Sequence, residues 1–460
     1  MSTLPLQRDI RREIFSLAIP VVFSSILQRV ANIVDIFLVG GLGAAAIAAV
    51  GIGQLMIFLV MTLVWGLSAG TTVVVAQLWG AQRREDAATV SFQSTLLGVF
   101  LGIGIGLGGF FFSQQGAVFV GGRSEVLTLT GPYLRVIFSF FVFATLVNLL
   151  SAIMYGSGDT GPPLRAALFM NVLHVAIAYP LIYGLGGAPQ LGVTGAAIAA
   201  GVSEMAGALY LLFIGFKRGY LLRGWVKCRL MRQVMQVGFP VFGERLLQQA
   251  GQMMYLKVVM LYGTVAYAAH QIGVTIEALA FLPGLGISMA ATTAVGQRLG
   301  AHQPQQATIA HREAHRLALM IMTGMGLVFF FFPAPLLHMF TDDPEVMILG
   351  TSFLKIVALL QIPLASTMAL SGSLKGAGDT PFLFWSAMVG SWGIRVPFAW
   401  LFAVVLKLDL TAIWSLLVAD WLARMCMLTY RHHTNGWQTR NVIEAAAHDS
   451  RSVLATIKTG

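Results

Sequence analysis

Residues 155–160 read YGSGDT and residues 375–380 read KGAGDT. The two hexamers lie 220 positions apart, and the same offset joins positions along most of the chain. Pro20 meets Pro240, Gly43 meets Gly263, and Ala48-Ala49 meets Ala268-Ala269. Gly53 meets Gly273, Ser68 meets Ser288 and Thr72 meets Thr292. Gln77 and Gly80-Ala81 meet Gln297 and Gly300-Ala301. One shift, with no gap at any of these anchors, marks an internal repeat. The chain is two copies of one unit.

Composition says what that unit is made of. Of the 460 residues, 57% are hydrophobic and only 10% charged, with a mean hydropathy of +0.78. Water-soluble domains carry roughly 25% charge, so the chain reads as a polytopic membrane protein. A spanning helix needs about 20 mostly apolar residues. Twelve segments qualify: 13–38, 47–69, 90–112, 131–154, 166–185, 193–216, 234–261, 270–293, 316–336, 346–373, 382–405 and 410–430. Each copy holds six. Six is even, so both copies enter the membrane with the same orientation, related by a pseudo-two-fold axis along the membrane normal. The expected fold is all-α, with an N-terminal lobe 1–216, a basic cytoplasmic connector 217–233, a C-terminal lobe 234–434 and a polar cytoplasmic tail 435–460.

The formal charge of +10 does not imply a nucleic-acid partner. Nineteen of the 29 Lys and Arg residues fall at the termini and the even-numbered connections, against two, Arg123 and Lys407, on the opposite side. That bias places both termini in the cytoplasm and sets the basic loops against anionic lipid headgroups. The opening MSTLPLQRDIRREIFSLAIP lacks a small-residue cleavage site and runs into a full span, so it reads as a retained first helix. Cys228 lies in a basic loop and Cys426 in an apolar segment, which does not make a disulfide framework.

Several stretches carry a family resemblance. NIVDIFLVGGLG at 32–43, AQLWGAQRREDA at 76–87, YGSGDT and GVTGAAIAA resemble the multidrug and toxic compound extrusion (MATE) family. GFPVFGERLLQQAGQ, AVGQRLGAHQPQQA and KGAGDT continue the likeness through the second copy, over roughly residues 10–430. The resemblance implies a two-lobed exporter of cationic or amphipathic compounds, embedded in the bilayer of the cytoplasmic membrane and driven by inward proton or sodium flow. No other cofactor is implied, and a monomer is expected.

Intramembrane acids are the candidate ion sites. An Asp at a helix centre costs about 2.5–3.5 kcal/mol to insert, so it should face a cavity or a partner. Asp35 is such an acid, and the resemblance carries an ion-coupling role onto it. Asn32, three residues earlier, shares its helical face and is expected to donate to the carboxylate. Arg29 is the alternative partner that would make Asp35 structural. Glu244 follows Pro240 by one turn, and the ion-binding Glu of the family commonly stands about one turn later, where this chain has Gln248. Glu277 is a further candidate for the C-terminal cavity. Asp379 falls in KGAGDT, and an acid in the tenth helix helps bind the cation in some family members. Its twin Asp159 shares the same turn, so a structural cap is the simpler reading of both.

The fifth span departs from one subgroup of the family, which has Asn and Asp four residues apart before a Pro. Here VAIAYP puts Val175 and Tyr179 at those positions, with Asn171 and His174 as partial substitutes on the same helix. Tyr255, with Met253, Met254, Phe281, Trp65 and Trp385, offers the adaptable and aromatic surface that suits organic cations. Lys257 and Arg395 are expected to pair with acids.

Three motifs suggest other chemistry and fail on context. GLSAG at 66–70 matches a serine-nucleophile elbow at Ser68, but the repeat twin reads GISMA, which suits small-residue packing. GIGLGG at 104–109 has no strand before it. HREAH sets His311 and His315 one turn apart, without an obvious third metal ligand. The nearest rival is a flippase for lipid-linked oligosaccharides, from the wider superfamily. That function wants a strongly basic cavity to hold pyrophosphate.

Overall fold

In lipid, a spanning segment must satisfy every backbone polar group within itself, and an α-helix does so. The computed structural model describes residues 4–119, 124–187, 189–224, 227–434, 436–438 and 442–443, and those residues contain helices and no strand. Arg123 and most of the expected tail lie outside them. The first copy supplies α1 (Leu4–Gly40), α2 (Ala44–Gly80), α3 (Arg84–Phe119), α4 (Ser124–Ser139), α5 (Phe141–Gly156), α6 (Gly161–Tyr183) and α7 (Val193–Lys217). The second supplies α8 (Cys228–Met260), α9 (Thr264–Gly300), α10 (Pro304–Phe331), the short α11 (Pro333–His338) and α12 (Pro344–Gly376). It closes with α13 (Thr380–Ala387), α14 (Val396–Trp400) and α15 (Leu410–His433).

Ten helical segments are long and apolar enough to cross a membrane, α13 and α14 forming one of them, Thr380–Val405. The pair α4 and α5, bent by 50°, makes an eleventh. The seventh expected span, 234–261, falls in α8, whose 33 residues are long enough to cross but more polar because they include Glu244, Arg245 and Lys257, so the described residues show ten or eleven apolar spans.

The repeat is visible atom by atom. Thr72 Oγ1 donates to the Ser68 and Ala152 carbonyls, both at 3.0 Å, and Thr292 Oγ1 donates to Ser288 and Gly372, both at 2.9 Å. Every residue in the second set is 220 positions after its twin in the first. A Cβ at Gly53 would press on the ring of Tyr133, and one at Gly273 on the ring of Phe353, the same offset again. The chain also reverses alike in both copies. Gly43 at φ +104° and Gly263 at φ +96° occupy backbone conformations that other residues rarely adopt.

The helices outrun the expected spans where small residues let backbones meet. Residues 71–78 of α2 are all buried, well past the expected end at 69. The copies differ in the fourth span. The first is broken at Phe140, whose ring lies where a Cβ on Gly201 would be, 2.4 Å away. Its counterpart α12 runs unbroken. The eleventh span contains two π-helical stretches, Met388–Arg395 and Leu401–Val405, which widen its turns.

Cα packing divides the chain into two compact units. One is Phe23–Trp79 with Arg83–Gly238; the other holds the described residues of Met1–Val22, Gly80–Gln82 and Phe239–Gly460. The divisions fall beside Pro20 and Pro240, each of which removes a hydrogen bond inside its helix. The start of α1 is fastened within its unit by Arg298 to Glu13 at 2.7 Å and by Arg11 to Glu313 at 2.6 Å. Ile10, Ile14 and Leu17 join that unit's core. The other unit has a core around Leu38, Val39, Tyr133, Leu134, Phe141, Ala178 and Ile182.

Candidate functional site

Asp35 stands one turn before Leu38 and Val39, the buried face of α1. That face meets α6 through Tyr183, whose hydroxyl donates to the Leu38 carbonyl at 2.7 Å. On α6 the buried residues His174, Ala178 and Ile182 recur every four positions, so they form one stripe. The stripe brings His174 to the acid. Its Nε2 lies 2.5 Å from Asp35 Oδ1, with the two side chains 8% and 22% exposed. At that distance and burial the contact is a charge-assisted hydrogen bond.

Two further groups complete the surroundings. Glu204 on α7 interacts electrostatically with His174. Tyr133 on α4, itself buried, feels the charge of Asp35. The imidazole thus sits under the influence of two acids, on α1 and α7.

The amides do not act as expected. Asn32 is exposed and makes no hydrogen bond among the described residues. A helix brings residues three apart to one face but does not make them bond, and the carboxylate is already held by the ring from α6. Asn171 turns back on its own helix and donates to the Ala167 carbonyl at 2.8 Å. Tyr179 is exposed, with its ring edge-on to Tyr183 at 5.4 Å.

In the second copy, Glu244 is buried and faces a cation of its own. Lys375 Nζ stands 3.8 Å from its Oε2, and Gln248 Nε2 approaches Oε1 at 3.4 Å. Tyr255 is fully buried, its hydroxyl donating to the Ile413 carbonyl at 3.0 Å, so it braces α8 against α15. Glu277 lies within the field of Arg395. That arginine pairs with Asp420 at 2.6 Å, and Arg424 pairs with the same carboxylate at 2.6 Å. Lys257, by contrast, is exposed and forms no ion pair among the described residues. Asp379 is held by Arg431 at 2.7 Å, and its twin Asp159 by Arg218 and Tyr220.

His174 is the residue that spacing along one helix did not bring to Asp35. The available signal was an ionisable ring four and eight residues before the buried Ala178 and Ile182.

Comparisons with known proteins identify the family. The MatE family model matches residues 20–180 and 240–401, one match in each copy. "Probable multidrug resistance protein NorM" of Thermotoga maritima is 29% identical over 439 residues, covering 95% of each chain. "Multidrug resistance protein NorM" of Burkholderia vietnamiensis is 27% identical, covering 91% of this chain and 92% of its own. Among solved structures, a multidrug resistance MATE family transporter of the MOP superfamily in its outward-facing conformation shares the fold. Its TM-score is 0.86 at 22% identity, covering 94% of this chain and 97% of that one. A MOP superfamily transporter from Pyrococcus furiosus matches with the same score and identity. Ten or eleven apolar membrane-length helices among the described residues, an internal repeat and a family match in both halves lead to one statement: the chain is a multi-pass membrane transporter, not an enzyme, and it belongs to the MatE family.

Proposed function

We propose that the protein is a multidrug efflux antiporter, exporting cationic or amphipathic organic compounds in exchange for an inward-moving proton or sodium ion. The supporting observation is Asp35. It is an acid within a membrane helix, held by His174 rather than locked to an arginine or lysine. An ionised carboxylate there attracts an organic cation, and neutralising it releases that cation. A unit charge 4 Å away in a partly polar protein is worth about 4 kcal/mol. Driving a two-state equilibrium from 1:99 to 99:1 takes about 5.5 kcal/mol, so one neutralised acid supplies most of the shift. Pro20 gives α1 a point of bending between its fastened start and the segment that carries Asp35.

In this reading the protein works as a monomer in the cytoplasmic membrane, with both termini in the cytoplasm. Glu244 is a second exchange point, where Lys375 occupies the place of an incoming cation. Arg395 and Arg424 are both committed to Asp420 and leave little basic lining for a pyrophosphate, which disfavours the flippase.

The test is transport of ethidium in vesicles reconstituted with the purified protein. An imposed cation gradient should drive ethidium movement. Absence of gradient-driven movement under both proton and sodium gradients would overturn the reading.

A further inference from the structure

The ligand set around Asp35 discriminates between the two candidate coupling ions. Sodium in membrane transporters is held by oxygen atoms, chiefly carboxylates and the carbonyls of unwound helices. Here the atom nearest the carboxylate is a ring nitrogen, His174 Nε2 at 2.5 Å. The backbone offers no replacement. Around the site α1 continues as helix to Gly40, α6 to Tyr183 and α7 to Lys217, so their carbonyls are spent on internal hydrogen bonds, save that of Ala176, which Pro180 deprives of its donor and which lies about half a turn round α6 from His174. The side-chain amides do not converge either, with Asn171 turned to Ala167 and Asn32 exposed. A nitrogen donor fills the position where a metal cation would need an oxygen.

We propose that the coupling ion is the proton and that a His174–Asp35 pair carries it. This inference rests on the antiporter reading and names its ion. Imidazole is the side chain whose ordinary charge change falls between pH 5 and 8, the range across which a transmembrane pH gradient operates. In the empty state Nε2–H donates to the ionised carboxylate, and the pair carries one negative charge. A proton taken from water on the outer side goes to the second ring nitrogen. Imidazolium and carboxylate then sum to zero, and the attraction for an organic cation is lost. On the inner side the same proton returns to water. The titratable groups facing His174 and Asp35 among the described residues are Glu204 on α7 and Tyr133 on α4.

The experiment uses full-length protein in vesicles with ethidium as the probe. A pH gradient is imposed without a sodium gradient, and then a sodium gradient with the pH equal on both sides. The pH gradient should drive movement and the sodium gradient should not. Ethidium affinity is measured in parallel from pH 8 to pH 6. Linkage with one competing proton lowers wild-type affinity by about tenfold per pH unit at most. His174→Gln keeps a donor toward Asp35 but cannot take up the proton, so its affinity should vary less than about threefold over the same range. His174→Asn, which likewise cannot take up the proton, serves as the second variant if His174→Gln is not monodisperse, and the same flattening is expected of it. Sodium-driven movement at equal pH would overturn the proton assignment while leaving the antiporter standing. A His174→Gln protein with the full wild-type pH dependence would overturn the role of the ring. Movement under neither gradient would instead count against the antiporter reading itself.

Discussion

Arg431 Nε lies 2.7 Å from Asp379 Oδ2, and the carboxylate side chain is only 2% exposed. The acid of KGAGDT is therefore bound to the last turn of α15. Its repeat twin Asp159 is bound by Arg218, just past the end of α7. In each copy the acid of the GDT turn holds the C-terminal end of the sixth span. Asp379→Asn should lower stability on the order of 2 kcal/mol, because it leaves a partly buried guanidinium without its charge partner. Thermal unfolding in detergent measures the loss. Gradient-driven transport by the surviving folded protein should remain within about twofold of wild type.

Asp35→Asn retains a similar shape but no ionisable carboxylate. Ethidium affinity at pH 8 should fall by about tenfold or more, since several kcal/mol of attraction are removed. The pH dependence that remains should be the ring's alone, since His174 can still take up the proton. A titration of ethidium fluorescence reads both quantities, and unchanged gradient-driven efflux would exclude Asp35 from coupling.

Lys375 and Glu244 face each other at 3.8 Å, both largely buried. Breaking such a pair from one side costs about 3–5 kcal/mol. Lys375→Gln should therefore unfold earlier than wild type, and adding Glu244→Gln should recover most of the loss. The double-mutant cycle should give a coupling of about 3 kcal/mol or more. If the two single changes simply add, the pair is not an interacting unit.

Gly376 and Gly156 are twins in the repeat, and each lies against a threonine carbonyl of the second helix of its copy. A Cβ at Gly376 would come within 2.5 Å of the Thr292 oxygen, and one at Gly156 within 2.7 Å of the Thr72 oxygen. A backbone atom cannot move aside as a side chain can. Valine at either position should cost about 3 kcal/mol or more and sharply reduce the yield of monodisperse protein. Alanine should do so less. Size-exclusion profiles of the four variants compare the two sites directly.

The repeat, the apolar spans and the membrane class were legible because each depends on patterns that run along the chain. Asp35 was legible for a related reason: an acid in an apolar run is conspicuous wherever the helix packs. Its partner was not. Reasoning from helical spacing led to Asn32, three residues away, whereas the hydrogen bond comes from His174, 139 residues later. Nothing local encodes which faces of α1 and α6 meet. The binding of Asp379 was half visible. The shared GDT turn pointed to a structural role, but Arg218 and Arg431 stand 213 rather than 220 positions apart, so the offset did not pair them. The bend at Phe140 and the π-helical turns of the eleventh span were also hidden, since no proline marks Phe140 or Met388.

After α15 the chain does not leave at once. Trp437 is fully buried, its Nε1 donates to the His432 carbonyl at 3.0 Å, and its ring stacks on His432 at 4.7 Å. Gln438 Nε2 donates to Thr308 Oγ1 on α10 at 3.2 Å. The practical consequence concerns construction at this terminus. A purification handle or reporter fused directly after α15 would evict an indole that seals the end of that helix. The same fusion placed beyond Ile443, which is also buried, leaves that seal in place.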